Sequence, residues 1–292
     1  SGVIFNMVFD PVFLYVFDLG ISGIALATVG GQLLSTVLAL RYLLRKFKNA
    51  KPGIKDLSPN AGIIKSVCSL GSAVCATHLS ATAVQIVQLN TLRHYGGLSL
   101  YGSEVALAAA GAVGKVVIVL MSCVIGISLG CQPIYGFNYG NKQFGRVKET
   151  YKLAVRYGTT IAVAAFLCIQ IFPEQILSIF GSEDPLFYRF AVKYMRIFLF
   201  MTFANALQPI TSTFFTSIGK ANVGFWTALI KQIFLLIPLL LLLPLAFGID
   251  GLFWAGPAAD GAAAAIALVL AAREIRRLTR LQQAQVTERE NG

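Results

Sequence analysis

Residues 233–247 read IFLLIPLLLLLPLAF, an apolar run whose interpretation decides the fold class. About seven such runs occur along the chain, separated by short connections that carry its charges. A helix of about 20 apolar residues crosses the roughly 30 Å hydrocarbon core of a bilayer, and no soluble core needs so many of them. In lipid the backbone must satisfy its own N–H and C=O groups, which leaves only helices or closed barrels. Barrel strands alternate polar and apolar residues, whereas these runs are unbroken over many positions. The chain therefore reads as an all-α, polytopic membrane protein.

Composition agrees. Of 292 residues, 56% are hydrophobic and 13% charged, against a charged share of about 25% in soluble proteins, and the mean hydropathy is +0.71. The net charge of +11 does not imply a nucleic-acid partner, because the basic residues are distributed by connection and not gathered on one face. Helices are expected at roughly 20–44, 62–91, 103–130, 150–172, 187–216, 224–246 and 252–272. Arg41, Arg45, Lys46, Lys48, Lys51, Lys55 and Lys65 then fall around the first connection, and Lys142, Arg146, Lys148, Lys152 and Arg156 around the third. Arg273, Arg276, Arg277 and Arg280 fall in the tail, and the intervening connections are poor in Lys and Arg. This is the positive-inside pattern. It puts 45–61, 131–149 and the C-terminus in the cytoplasm of a cell whose plasma (inner) membrane holds the chain. Cys68, Cys75, Cys123, Cys131 and Cys168 lie in or beside apolar segments and are expected to pack as small apolar residues.

An internal match points to repetition. Gly20, Ile21, Gly23 and Ala27 in LGISGIALATVGG (19–31) align at one constant offset with Gly248, Ile249, Gly251 and Ala255 in FGIDGLFWAGPAA (247–259). Both segments follow an apolar helix and open another, as in the parallel repeats of secondary transporters. On this reading 62–272 is a complete six-helix half, 1–44 holds the last two helices of the other half, and about four helices are expected to precede them.

The stretch CQPIYGFNYGNKQFGRVKET, residues 131–150, names a family. Physically, Pro133, Gly136, Asn138, Gly140 and Asn141 are turn and cap residues expected to stop a helix, with Lys142 to Lys148 at the inner interface. The stretch resembles the cytoplasmic loop of the multidrug and toxic compound extrusion (MATE) transporters, where a Gln-Pro-Ile, Gly, Asn-Tyr-Gly pattern precedes a basic helix. NMVFDPVF (6–13), SIGKAN (217–222), KQIFLLIPLLLLLP (231–244) and GIDGLFWAGPAAD (248–260) extend the likeness in the expected order over almost the whole chain. The resemblance implies twelve helices in two lobes of six and a central cleft. It also implies export of organic, often cationic compounds driven by sodium or proton entry, with no other cofactor. Residues 62–272 would be the C-terminal lobe, 45–61 the inter-lobe loop and 273–292 a cytoplasmic tail. The partners would be small organic substrates, the bilayer and the missing N-terminal lobe.

Polar residues inside the helices are the candidate site. Thr77, Ser80, Gln88 and Thr91 share about one third of a helix circumference, with Gln85 at its edge. Thr202, Asn205, Gln208, Ser212 and Thr216 make a second stripe. Either stripe can be interhelical glue or cleft lining, and Gln85, Gln88, Asn205, Gln208 and Ser212 are the candidate cleft residues. Pro209 interrupts the second stripe and leaves the Asn205 carbonyl without its helical donor; Pro238 does the same for Phe234. Both are candidate hinges.

Three charges lie deep: Lys115, Lys231 and Asp260. Each costs at least about 2.5 kcal/mol at a helix centre unless paired or hydrated. Lys115 and Asp260 are expected at similar depth, either as a packing pair or with Asp260 as a proton or sodium site, while Lys231 is expected to snorkel to the inner surface. MATE members with a cation site in the C-terminal lobe carry acids in the helices matching 62–91 and 187–216. Here those helix cores hold amides, so the coupling carboxylate is expected in the other lobe. No metal site is expected. His78 and His94 stand apart from any acid, and nothing resembles HExxH or a nucleophile–base pair, so an enzyme is not expected. The closer rival is a flippase of lipid-linked saccharides on a related two-lobe fold; a non-transporting scaffold is a third class.

Overall fold

The computed structural model describes residues 2–45, 60–180 and 184–290, and among them the chain is helical with no strand. Most of the connection read as the inter-lobe loop, 46–59, lies outside the described residues. The chain divides into two compact units, Ser1–Cys68 and Ser69–Gly292.

In the first unit α1 (Gly2–Pro11) widens into a π-helical turn over Val12–Val16 and folds back as α2 (Gly20–Arg45). The reversal uses left-handed φ values of 49° at Asp18 and 56° at Gly20. Glycines let the two helices touch: a Cβ on Gly31 would stand 2.1 Å from Asn6 Oδ1 and 2.8 Å from the Gly2 carbonyl oxygen. Phe5, Phe9, Phe13 and Phe17 contact one another in series at i, i+4 spacing from α1 into the reversal, with centroids 4.2, 5.6 and 5.9 Å apart.

The second unit begins within α3 (Ala61–Gly97) and continues through α4 (Ser103–Gly140), α5 (Phe144–Ile171) and the short α6 (Pro173–Ser178). A broken helix follows, made of α7 (Pro185–Phe198), α8 (Thr202–Asn205) and α9 (Leu207–Ser217). Next come α10 (Ala221–Leu229), a π-helical stretch Ile230–Leu236, and α11 (Ile237–Glu290), which folds sharply at Gly248. Among the described residues four helices are long and apolar enough to cross a membrane, or five if the bent pair Pro185–Phe198 and Thr202–Ser217 counts as one. One of the four, Ala221–Gln285, contains both arms on either side of Gly248.

Two aromatic cores sit at opposite ends of this bundle. One gathers Leu92, Val113, Phe190, Tyr194, Leu252 and Phe253; the other gathers Tyr135, Val147, Tyr151, Ile210, Phe214 and Leu278. Between them the second arm of α11 packs through Ala255, Ala259, Ala263, Ala267 and Ala271, all buried at every fourth position. Lipid tails are as apolar as leucine, so helices in a bilayer associate through close backbone approach, which small residues permit. Gly256 completes this face, since a Cβ there would lie 2.8 Å from the Phe198 carbonyl oxygen. Trp254, Leu268 and Val269 on the same arm remain exposed, as a lipid-facing side requires.

The repeat seen in sequence has matching local geometry. Gly20 and Gly248 both take left-handed φ, 56° and 58°. Gly23 and Gly251 both meet the preceding helix: a Cβ would come within 3.0 Å of the Phe13 carbonyl oxygen in one case and 2.3 Å of the Leu243 carbonyl oxygen in the other. Ala27 and Ala255 are both fully buried.

Three expectations need correction. The predicted loop 131–149 is helical up to Gly140, and only Asn141–Gln143 turn, with Lys142 at φ 56°. Pro133 costs α4 one backbone bond, but buried Tyr135 meets Phe214 edge-to-face at 5.3 Å and Asn138 Nδ2 donates to the Ile134 carbonyl, which hold the helix past it. The last helix does not end near 272 but continues to Glu290, anchored through Leu278 in the second core. Finally, Cys68, Cys75, Cys123 and Cys168 are exposed and not packed inside, and Cys131 is half-buried.

Candidate functional site

The α3, α4 and α7 helices enclose a cavity of about 360 Å³ lined by Gln85, Gln88, Lys115, Tyr194 and Phe198, among others. Its shape follows from the helices. Gly111 and Gly114 remove side chains from the α4 wall, and a Cβ at either would meet nothing within 4 Å. Gln88 Nε2 donates to Tyr194 Oη at 2.6 Å, tying α3 to the buried ring of α7. Gln85 and Lys115 are exposed in the cavity wall. The first polar stripe thus splits: Gln85 and Gln88 face the cavity, while Ser80 is buried and donates to the Ala76 carbonyl of its own helix at 2.6 Å.

The second stripe faces another way. Gln208 Nε2 donates to the Thr227 carbonyl at 3.3 Å, and Ser212 Oγ to the Gly224 carbonyl at 2.7 Å. Gly224 has no side chain to hold α10 away, and a Cβ there would lie 2.7 Å from the Ser212 carbonyl oxygen. Both side chains therefore bind α9 to α10. The structure does not bring Asn205, Gln208 and Ser212 into the cavity that Gln85 and Gln88 line.

The deep charges are also sorted differently from expectation. Asp260 pairs with Lys231, Oδ1 to Nζ at 2.8 Å, and not with Lys115. Lys231 does not snorkel, and its ammonium also donates to Asn205 Oδ1. Lys231 belongs to the π-helical stretch, whose wider turn re-aims side chains and so turns the ammonium inward. Pro238 follows that stretch directly, where the π-helical turns precede the position of its missing N–H. Pro209 does interrupt the helix at Ala206, but the 50° bend lies between Phe198 and Thr202. There Thr202 Oγ1 donates to the Leu199 carbonyl at 2.7 Å, and Gly256 admits Phe198. Among the described residues no ion pair reaches Lys115.

Sequence reasoning missed Glu274. It is buried in the extended last helix, where it accepts from Lys220 and from Arg277, the latter at 3.2 Å. The available signal was a lone acid among Arg273, Arg276 and Arg277. Among the described residues no group of three or more His, Cys, Asp or Glu side chains is placed to hold a metal ion. At Asp260 a cation would meet two oxygen donors, its carboxylate and the Asn205 amide, with the Lys231 ammonium already between them.

Comparison with known proteins fits this architecture. The multidrug export protein MepA of Staphylococcus aureus (strain N315) is 22% identical over 274 residues, which cover 92% of this chain and 58% of that protein. MepA of Staphylococcus haemolyticus (strain JCSC1435) is 22% identical over 280 residues, 96% of this chain and 60% of that protein. The chain thus spans about three fifths of the length of the curated relatives it matches, in their C-terminal portion. An outward-facing multidrug resistance MATE family transporter of the MOP superfamily superposes with a TM-score of 0.83 at 18% identity, over 96% of this chain and 61% of that one. The fold is therefore that of a MATE helical membrane bundle. The MatE family model matches residues 97–242, from the end of α3 through the first arm of α11, and the chain belongs to that family.

Proposed function

We propose that this chain forms one lobe of a gradient-driven exporter of drug-sized organic compounds, working by alternating access against a second lobe. The observation that supports this best is the cavity between α3, α4 and α7, in a family whose curated relatives are named multidrug export proteins. Ionisable and amide side chains on membrane-spanning helices persist where water or a ligand reaches them, and ligand pockets typically measure about 300–1,000 Å³. The relatives' greater length supports a second lobe closing over this wall. Lys142 to Arg156 and Arg273 to Arg280 support a cytoplasmic position for those ends in a plasma membrane.

Sodium or proton entry supplies the energy in this reading. A sodium ion at Asp260 would have to displace the Lys231 ammonium, so the pair is better suited to holding α10 and α11 beside the broken helix. The coupling carboxylate then belongs to another part of the transporter. Among the described residues no carboxylate lines the cavity, so a cationic compound would be met here by the part-exposed ring of Phe198.

The test is efflux from proteoliposomes holding the intact protein, with rhodamine 123 or carboxyfluorescein as cargo. Dye should leave against its own gradient when a sodium or proton gradient is imposed, and efflux should stop when an ionophore dissipates that gradient. Movement of neither dye, or movement indifferent to both gradients, would overturn the proposal.

A further inference from the structure

We propose that Lys115 makes the cavity between α3, α4 and α7 a subsite for the anionic group of an amphiphilic organic anion or zwitterion. This deepens the transport reading and rests on it for the cavity's role. Lys115 supplies the charge of the described wall, and the charge is uncompensated: no carboxylate lines the cavity, and Asp260 is committed to Lys231. An ammonium on a membrane-spanning helix is costly without a counter-charge or water, so the site favours whatever anion can reach it.

The neighbouring groups are donors of the right kind. Gln85 presents an amide to the same cavity as Lys115. Gln88 donates to the buried Tyr194 Oη and is thereby fixed in the cavity wall. A carboxylate, sulfonate or phosphate in the cavity can accept from the Lys115 ammonium and the Gln85 amide, and hydrogen bonds to a charged group are the strong ones. Gly111 and Gly114 leave room against the α4 backbone for the anion's oxygens. Leu89, Ile118 and Phe198 then offer apolar surface to the rest of the molecule.

Fluorescein and rhodamine 123 share one ring system and differ in charge, so they separate charge from shape. Their binding to the intact purified protein is read by fluorescence polarisation in neutral detergent, with no gradient present. A failure of transport therefore leaves this measurement standing, and the reverse also holds.

Lys115→Gln should weaken fluorescein binding about tenfold or more, the equivalent of about 1.4 kcal/mol, and leave rhodamine 123 binding unchanged or tighter. Lys115→Arg should retain the anion. Gln85→Leu, which leaves the lysine in place, should weaken fluorescein severalfold and serves if the lysine variant does not fold. Added phosphatidic acid identifies the source: competition assigns the site to a lipid phosphate, and its absence assigns it to a soluble anion, either result upholding an anion site. Equal loss of both dyes in Lys115→Gln, or no loss of fluorescein in any variant, would overturn the proposal. So would an acid elsewhere in the intact protein whose removal makes Lys115 newly able to bind fluorescein, because Lys115 would then be a paired structural lysine.

Discussion

Asp260→Asn is expected to destabilise the protein by about 3–5 kcal/mol, because it leaves the Lys231 ammonium buried without its counter-charge. Side-chain exposure is 17% for Lys231 and 11% for Asp260, so water cannot take over the lost contact at the surface. The loss should appear as a lower midpoint of thermal unfolding in detergent. Adding Lys231→Gln should recover most of it, since no lone charge then remains and the glutamine can still donate to Asn205. Lys115→Gln should rescue nothing, because Lys115 lies in a different part of the bundle wall. Rescue by Lys115→Gln and not by Lys231→Gln would mean that the ion pair is wrongly assigned.

A second large loss is expected from Gly251→Val. The first carbon of the new side chain would stand 2.3 Å from the Leu243 carbonyl oxygen and 2.9 Å from the Pro244 nitrogen. Those are backbone atoms of the neighbouring arm and cannot rotate away. Overpacking of this kind costs about 1–3 kcal/mol when the core can shift and more when it cannot. Little monodisperse protein should survive size-exclusion chromatography. Gly111→Ala is the control: its Cβ meets open space, and helix propensity favours alanine by about 1 kcal/mol, so its midpoint should hold or rise. Equal behaviour of the two variants would remove the close approach of the α11 arms from the account.

Much of the fold was legible because lipid enforces simple rules. Unbroken apolar runs predicted the helices that became α2, α4 and α5, and the glycines of the two matched segments predicted where the chain reverses. What failed were inferences from residue type about local stops. Pro133 and Gly136 read as a helix end, yet α4 continues because Tyr135 and Asn138 are held by packing and a backbone acceptor. The bend near Leu199 carries no proline to announce it; it is enabled by Gly256, far away in sequence.

The site was half legible. Spacing showed two polar stripes, but spacing fixes only which residues share a face and not what that face meets. Gln85 and Gln88 meet a cavity, whereas Gln208 and Ser212 meet the α10 backbone through Gly224. The partner of Asp260 was misassigned because depth was counted on regular helices, and the π-helical stretch Ile230–Leu236 turns Lys231 inward.

The claim on which the rest stands is that the cavity wall of α3, α4 and α7 faces the transport path, while the α9 stripe holds helices together. The direct measurement is substituted-cysteine labelling in the intact protein, with Cys68, Cys75, Cys123, Cys131 and Cys168 first replaced by alanine. Gln85→Cys should react with a small water-soluble thiol reagent and be protected by bound fluorescein, whereas Ser212→Cys should stay unlabelled with or without dye. Labelling of Ser212→Cys with protection by dye, and none at Gln85→Cys, would contradict the account and move the path to the other side of the broken helix.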